Sequence, residues 1–208
     1  MNGSEPPGPG EPDGQPKPGN VLDSVFRQDG PMPPARLSLR AIALLMDAVV
    51  LFLVANFIIL KIVWPEAHPG AIAEYTAWFE AFTRNLANKE PLPAMNPSLL
   101  DALSDAYSIQ IIVSWVYFAI GESLFNGASL GKRTFRLRTV GTVTLGPATF
   151  FTGIFRAGLK TFLLFYLFPL LLIGNLIVMR FNKRGQAGHD LLSRTAVVDE
   201  KKMLQNSP

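Results

Sequence analysis

Apolar residues in this chain are concentrated in a few long blocks rather than spread evenly along it. The longest block runs from Ala41 to Val63 and is interrupted only by Asp47, Asn56 and Lys61. As an α-helix, these roughly 23 residues are about 34 Å long, enough to cross the hydrocarbon core of a bilayer. The pattern therefore predicts a membrane-spanning helix and an integral membrane protein.

A second span is predicted over 109–125, and its apolar pattern extends backwards from there through Leu99. The segment between the two spans is acidic and has apolar residues at helical spacing from Ala71 to Ala87, which indicates a surface or interfacial helix. Prolines end this segment, and Asn96 or Ser98 can cap the helix that follows.

The last apolar region, 150–181, contains charged and helix-breaking residues and allows two interpretations. A single crossing from about Thr161 to Val178 would leave the basic C-terminal residues outside, against the positive-inside rule. A helical hairpin that turns near Pro169 or Gly174 keeps them inside, although its halves are too short to cross the bilayer fully. We favour the hairpin, with a third span as the alternative.

The segment after the second span, NGASLGKRTFRLRTVGTVTLG, alternates over 134–140 and is punctuated by glycines. This pattern predicts a short β-hairpin at the cytoplasmic face, although Thr195 to Val198 also has β-character and is an alternative partner for the strand. The predicted fold class is an all-α polytopic membrane protein with two full transmembrane helices, a C-terminal hydrophobic hairpin or third span, and this β-hairpin.

Composition divides the chain into three parts. Residues 1–35 are rich in proline and glycine and poor in large apolar side chains, so we expect a disordered cytoplasmic tail. Residues 36–199 form the membrane domain, and 200–208 are expected to be a second disordered tail.

Basic residues give an orientation to the predicted spans. The net charge is +3, but the basic residues lie beside the apolar blocks, where membrane orientation explains them better than binding of nucleic acid does. We therefore expect a multi-pass protein of the inner membrane of a bacterium, with its N-terminus in the cytoplasm and the 65–108 loop outside. A basic cluster would meet anionic lipid headgroups or inner carboxylates. It comprises Lys132, Arg133, Arg136, Arg138 and Arg156.

Ionisable side chains in or beside the predicted spans are the candidate functional residues. Arg40 stands at the entrance of the first span and Asp47 about two helical turns further on, so both side chains leave the helix on nearly the same face. Glu122 lies near the end of the second span. Carboxylates at such depths are unfavourable unless they face protein or water, and they either carry ions or form paired polar cores.

Enzymatic chemistry has the weakest support. The chain has no cysteine and two histidines, His68 and His189, which are predicted on opposite sides of the membrane, so a histidine metal site or a catalytic triad is not expected. The glycines around Ser129 match a nucleophile elbow, but this stretch follows a membrane helix rather than a strand. We expect neither enzymatic activity nor a cofactor.

Several short motifs occur here in one characteristic order. Arg40 enters the first span, Asp47 lies within it, GASLGKRTFRLRTV follows the second span, and GHDLLSRTAVV lies near the C-terminus. With Arg156, they resemble the RDD family of small membrane proteins, named for one arginine and two aspartates. The resemblance covers about residues 36–199, and by position the second aspartate is Asp190.

The resemblance implies little about molecular function. Transport of unidentified ligands has been suggested for the family, and sodium/proton antiport for some members. One hypothesis is transport of an ion or small ligand, with cation/proton exchange through Arg40, Asp47, Glu122 and Asp190. The alternative is a non-transporting membrane adaptor or assembly protein in which these residues form a structural network. With so few spans per chain, a transport pathway would require a homo-oligomer.

Overall fold

The chain is mostly helical. The computed structural model describes residues 21–166, 170–182 and 184–206. Two helical stretches, Leu37–Ala67 and Pro97–Ser123, are long and apolar enough to cross a membrane. In chain order, the described elements are α1 (Val21–Val25), α2 (Leu37–Ile58), α3 (Trp64–Ala67), α4 (Ala71–Asn88), α5 (Pro97–Ser123), α6 (Leu130–Thr134), β1 (Leu137–Gly141), α7 (Phe150–Tyr166), α8 (Leu170–Phe181), α9 (Gly188–Leu192), β2 (Thr195–Asp199) and α10 (Glu200–Asn206).

The first span is a continuous helical stretch of 31 residues, longer at both ends than the predicted 41–63. α2 passes through a π-helical turn, Ile59–Val63, into α3, which contains Pro65. Proline has no backbone N–H, so one hydrogen bond of the stretch is missing here, although the helix continues to Ala67. The buried residues of α2 are spaced four apart and so share one face of the helix. They are Ala43, Asp47, Leu51 and Ala55.

The second span, α5, begins well before the 109–125 block, as the backward extension of the apolar pattern predicts. Asn96 caps this helix, because its side chain accepts a hydrogen bond from the backbone N–H of Leu99 at 2.9 Å. The other predicted capping residue, Ser98, donates to Glu74 of α4 at 2.8 Å. The Asn96 amide also donates to Glu74, at 3.2 Å, so two bonds to this carboxylate fix the start of α5 against α4.

The two spans are antiparallel. The indole N–H of Trp64, after α2, donates to the carbonyl of Ala102, near the start of α5, at 3.2 Å. Nearer the other end, Leu51 packs with Phe118. α4, the helix predicted over 71–87, lies beside the first of these ends. The segments before α2 and after α5 therefore lie at the opposite end, which we call the network end.

The C-terminal hydrophobic region contains two helices, as the hairpin interpretation requires. α7 starts beside the end of α5, where Ser123 donates to the carbonyl of Phe150 at 3.2 Å. Its far end reaches Tyr107, which donates to the carbonyl of Phe165 at 3.0 Å. α8 returns toward the network end, because the side chain of Asn175 accepts the first backbone N–H of α9 at 2.7 Å. At 17 and 12 residues, α7 and α8 are about 26 and 18 Å long, shorter than the hydrocarbon core.

The turn between these helices was predicted at Pro169 or Gly174. Gly174 lies inside α8, so that position is wrong, and Pro169 lies outside the described residues. A glycine costs a helix only about 1 kcal/mol relative to alanine, and the apolar residues around Gly174 continue the helical pattern.

The strand predicted over 134–140 pairs with a distant segment rather than with its neighbour. β1 runs antiparallel to β2, so the predicted local β-hairpin is wrong and the alternative pairing with 195–198 is confirmed. The residues after β1 form one isolated bridge, Val140 to Pro147, and proline has no N–H with which to continue a ladder.

Residues 21–35 and 200–206 are ordered, which corrects their assignment to disordered tails. Phe26 follows α1 and is 1% exposed in an apolar cluster with residues of both strands. Residues 200–206 form α10. Low apolar content misled the prediction, because residues 21–35 are also held by an ion pair from Asp23 to Arg184 and by backbone hydrogen bonds to β2. The remainder of the two predicted tails, 1–20 and 207–208, lies outside the described residues.

Candidate functional site

Arg156 of α7 lies at the centre of a buried group of charged side chains. It is 1% exposed, its NH1 is in ion-pair contact with Glu122 Oε1, and its NH2 donates to Asp190 Oδ1. Its Nε lies 3.1 Å from both Asp190 Oδ1 and Thr195 Oγ1. Gly153 allows this approach, since a Cβ there would lie 3.1 Å from the backbone of Glu122. One planar guanidinium thus joins α5, α9 and β2 to α7.

Asp190 is fully buried and accepts hydrogen bonds from two arginines. Arg40 donates from NH2 to Asp190 Oδ2 and from NH1 to the carbonyl of Gly185, each at 2.5 Å. The backbone N–H of Ala187 donates to the same carboxylate oxygen at 3.0 Å, at the start of α9. Burial alone would raise the pKa of Asp190, but Arg156 and Arg40 together hold it well below its usual range. The carboxylate is therefore ionised at neutral pH.

Glu122 is a second buried carboxylate with two cationic partners. Lys132 donates to Glu122 Oε1, which Arg156 also contacts. The hydroxyl of Thr139 donates to Glu122 Oε2 at 2.8 Å. Burial and the charge of Arg156 lower the pKa of Lys132 to about 8, against the opposing effect of Glu122. We call the following residues the ionic network: Arg40, Glu122, Lys132, Arg156 and Asp190.

Asp47 makes a separate set of contacts. It is 1% exposed and accepts hydrogen bonds from the hydroxyls of Tyr117 and Ser129, each at 2.6 Å, and from the N–H of Gly131 at 2.8 Å. All three donors are neutral, which distinguishes Asp47 from the two carboxylates of the ionic network. Arg40 and Asp47 therefore bind different partners, although the sequence predicts that they share a face of α2.

The predicted basic cluster does not form a single surface. Lys132 and Arg156 are buried and contact the inner carboxylates. Arg133 and Arg136 are exposed, and Arg138 is half-buried and forms an ion pair with α10 at 3.3 Å. Two roles are predicted for this cluster. Lys132 and Arg156 contact carboxylates, whereas Arg133 and Arg136 are exposed and can reach lipid headgroups.

Several polar residues of the site are not predicted from the sequence. In the sequence, Ser129 stands out only as part of a nucleophile-elbow match, yet Ser129 and Tyr117 both bind Asp47. Thr139 and Thr195 read simply as strand residues. The one available signal is the buried Asp47 itself, because a carboxylate within a span requires donors from other elements.

A cavity of about 410 Å³ adjoins the ionic network, between α2, α7 and α8. The α2 and α7 walls away from the network are apolar. The polar side chains of its lining are Arg40, Asp47, Lys132, Arg156, Lys160, Asn175 and His189. In the sequence, Lys160 is one of the charged residues that interrupt the apolar region 150–181.

The two histidines lie at opposite ends of the spans. His68 Nε2 is 2.8 Å from Asp105 Oδ2 near α4, whereas His189 Nε2 is 3.4 Å from Asp190 Oδ1 in the ionic network. Burial lowers the pKa of His189 to about 3, so the imidazole is neutral at physiological pH.

Comparison with known proteins gives a family assignment. No curated protein and no solved structure matches the chain significantly. The model of the RDD family matches residues 34–194, which include Arg40, Asp47 and Asp190. Because this match covers well over half of the 208 residues, the chain belongs to the RDD family and is a membrane protein.

Proposed function

We propose that this RDD protein is a non-transporting membrane adaptor or assembly protein, and that its ionic network is structural. The observation that carries the proposal is the pairing of two buried carboxylates with two cations each. Glu122 contacts Lys132 and Arg156, and Asp190 contacts Arg40 and Arg156. These pairs connect α9 to the two spans and to α7, and the hydrogen bond from Arg156 to Thr195 adds β2.

A carboxylate that exchanges cations has to accept a proton or a sodium ion in turn. The low pKa of Asp190 opposes protonation, and its oxygens already accept bonds from Arg40, Arg156 and a backbone N–H. A sodium ion there would displace an arginine and leave it buried without its partner, at a cost of about 3 to 5 kcal/mol. This favours a structural role over ion exchange for the network.

Cation/proton exchange through Asp47 is the second candidate function. It is supported by a specific observation, since Asp47 lines the cavity and is held by neutral donors alone. A cation in the cavity would, however, also meet Arg40, Lys132 and Lys160, which repel it.

Orientation and partners belong to the same proposal. Arg133 and Arg136 are exposed at the network end, and the positive-inside rule assigns this end to the cytoplasm. We propose the inner membrane of a bacterium, a cytoplasmic N-terminus, and contact of these two arginines with anionic headgroups or with another copy of the chain.

Flux measurements in reconstituted vesicles distinguish the two candidate functions. Vesicles containing the wild-type protein and a trapped pH-sensitive dye are exposed to a sodium gradient. We expect no proton movement above that of protein-free vesicles. Sodium-dependent proton movement that Asp47→Asn abolishes would establish the exchange function instead.

Hydrogen exchange tests the structural role of the network directly. We expect the β2 amides to exchange at least about tenfold faster in Asp190→Asn than in the wild type, because the variant loses the charge that holds α9 and β2 to Arg40 and Arg156. Unchanged exchange in a correctly inserted variant would contradict the role. Asp105→Asn is the matched control, since the carboxylate of Asp105 lies 2.8 Å from His68 Nε2 at the other end of the spans, away from the network and from β2.

A further inference from the structure

We infer that the cavity between α2, α7 and α8 binds a phosphate-bearing amphiphile, with its anionic head beside Lys160 and its apolar chain along α2. The inference goes beyond the proposed function, since it assigns a ligand to a space that the ionic network does not fill.

The charge of the lining favours an anion. The cavity meets four cationic side chains and one carboxylate, Asp47. Three of the cations pair with Glu122 and Asp190 just outside the cavity. With every lysine and arginine protonated, these seven groups carry one more positive than negative charge, and Lys160 supplies the excess.

Lys160 has no acceptor within the described part of the chain. It makes no hydrogen bond or ion pair there, and its Nζ lies 3.5 Å from the centroid of the buried Phe118 ring. A cation–π contact uses one side of the ammonium group and leaves N–H donors unsatisfied. Because an ammonium group in an apolar site is costly without a partner, an anion beside Nζ would be stabilising.

His189 provides a second unsatisfied polar atom in the same lining. Its Nδ1 is buried and has no hydrogen-bond partner among the described residues. A phosphate group offers both acceptor oxygens and, when singly protonated, a hydroxyl donor. It can therefore bind Lys160 and His189 together, which a carboxylate does less readily.

The other half of the cavity is apolar and open on the side of α2. Ala41, Leu45 and Ala48 line it, follow one another at helical spacing, and are exposed, with Leu45 at 65%. Leu163 and Leu164 of α7 line it as well. Exposed apolar residues of a membrane span face lipid, so the opening lies toward the bilayer and admits an acyl or isoprenoid chain sideways.

The volume agrees with this class of ligand. Ligand pockets commonly enclose roughly 300 to 1,000 Å³, and about 410 Å³ holds a phosphate head with the first part of one chain. The remainder of the chain would stay in the surrounding lipid.

Binding to the full-length protein in an uncharged detergent tests the inference. Dioctanoyl phosphatidic acid is the probe, dioctanoyl phosphatidylcholine is the lipid without net charge, and inorganic phosphate is the head without a chain. We expect saturable binding of phosphatidic acid, with at least about tenfold weaker binding of the other two. Equal binding of phosphatidylcholine would overturn the charge argument, and equal binding of inorganic phosphate would overturn the assignment of the chain.

Two substitutions test whether the ligand binds in this cavity. Lys160→Met should weaken binding of phosphatidic acid at least about tenfold, whereas Lys61→Met, an exposed lysine of the first span outside the lining, should not. Ala48→Trp should block the opening without touching any charged group, and Val49→Trp, which does not line the cavity, is its control. Wild-type affinity in Lys160→Met or in Ala48→Trp would overturn the inference.

Discussion

Arg156 contacts both carboxylates of the ionic network, so a change at this residue tests the network as a whole. Lysine keeps the positive charge, but its compact ammonium group cannot contact Glu122 and Asp190 in the same bridging geometry. We expect Arg156→Lys to lower the free energy of unfolding by about 3 to 5 kcal/mol and the melting temperature in detergent by about 6 °C or more. Arg133→Lys changes an exposed arginine and should melt like the wild type.

The neutral state of His189 predicts a dependence of stability on pH. In the unfolded chain this histidine binds a proton near its ordinary value of 6.5, whereas burial and the nearby cations Arg156 and Lys160 lower its pKa in the folded protein to about 3, against the effect of Asp190. The unfolded state therefore binds more protons between these values, and stability falls as the pH falls through that window.

We expect the melting temperature to decrease from pH 7 to pH 4.5, and to decrease less in His189→Gln than in the wild type. Both proteins share all other titrating groups, so the difference between the two slopes isolates this imidazole. Equal slopes would show that His189 does not titrate in the way its burial implies.

At the residue scale, the sequence predicts which side chains are unusual but not which ones pair. Depth within an apolar block is enough to single out Asp47 and Glu122. The three partners of Asp47, however, lie 70, 82 and 84 positions further along the chain. Such separations are set by helix packing, and neither spacing nor periodicity within one segment contains them.

The contact between α6 and α2 depends on a glycine. A Cβ on Gly131 would overlap the carbonyl of Ala43 and lie 3.0 Å from Asp47 Oδ1. Gly131→Ala should therefore push α6 away from the first span, weaken the bond from its N–H to Asp47, and cost about 1 to 3 kcal/mol, which a lower melting temperature would report.

Gly146→Ala is the matched control for this substitution. A Cβ there would meet nothing closer than 3.9 Å, so the melting temperature should stay near that of the wild type. If the two variants had the same melting temperature, the close approach of α6 to α2 would not contribute to stability.

At the scale of elements, length and period decide what the sequence can predict. The helices of both spans follow from long apolar blocks, and α4 follows from apolar residues at helical spacing. All three helices are predicted correctly. The pairing of β1 with β2 is harder, because an alternating strand fits any neighbour of suitable register. Order in residues 21–35 escapes prediction for another reason, since it depends on contacts with distant residues, such as Phe26 with both strands and Asp23 with Arg184.

For the whole molecule, the fold predicts which loops share a side of the membrane. α2 and α5 are antiparallel, and α8 returns to the network end, so we expect Thr76 and Gln205 on opposite sides. The chain has no cysteine, so a single introduced cysteine can be labelled selectively. In intact cells, an impermeant thiol reagent should label a cysteine at Thr76 but not one at Gln205.

A cysteine at Gln15 should also stay unlabelled. This expectation comes from the sequence alone, because Gln15 lies outside the described residues. Labelling at both Thr76 and Gln205 would mean three full crossings. It would also separate Asp190 from Arg40 by the thickness of the bilayer, which the direct bond between them does not permit.

The bond between Arg40 and Asp190 joins residues 150 positions apart and has a consequence for biosynthesis. A ribosome makes Arg40, Glu122 and Arg156 before Asp190, so both arginines reach the membrane ahead of the carboxylate they share. Insertion of the spans and completion of the fold are therefore separate events in time. Until Asp190 is made, the membrane holds two arginines without the carboxylate that they share, so a nascent chain carries positive charge that the folded protein compensates.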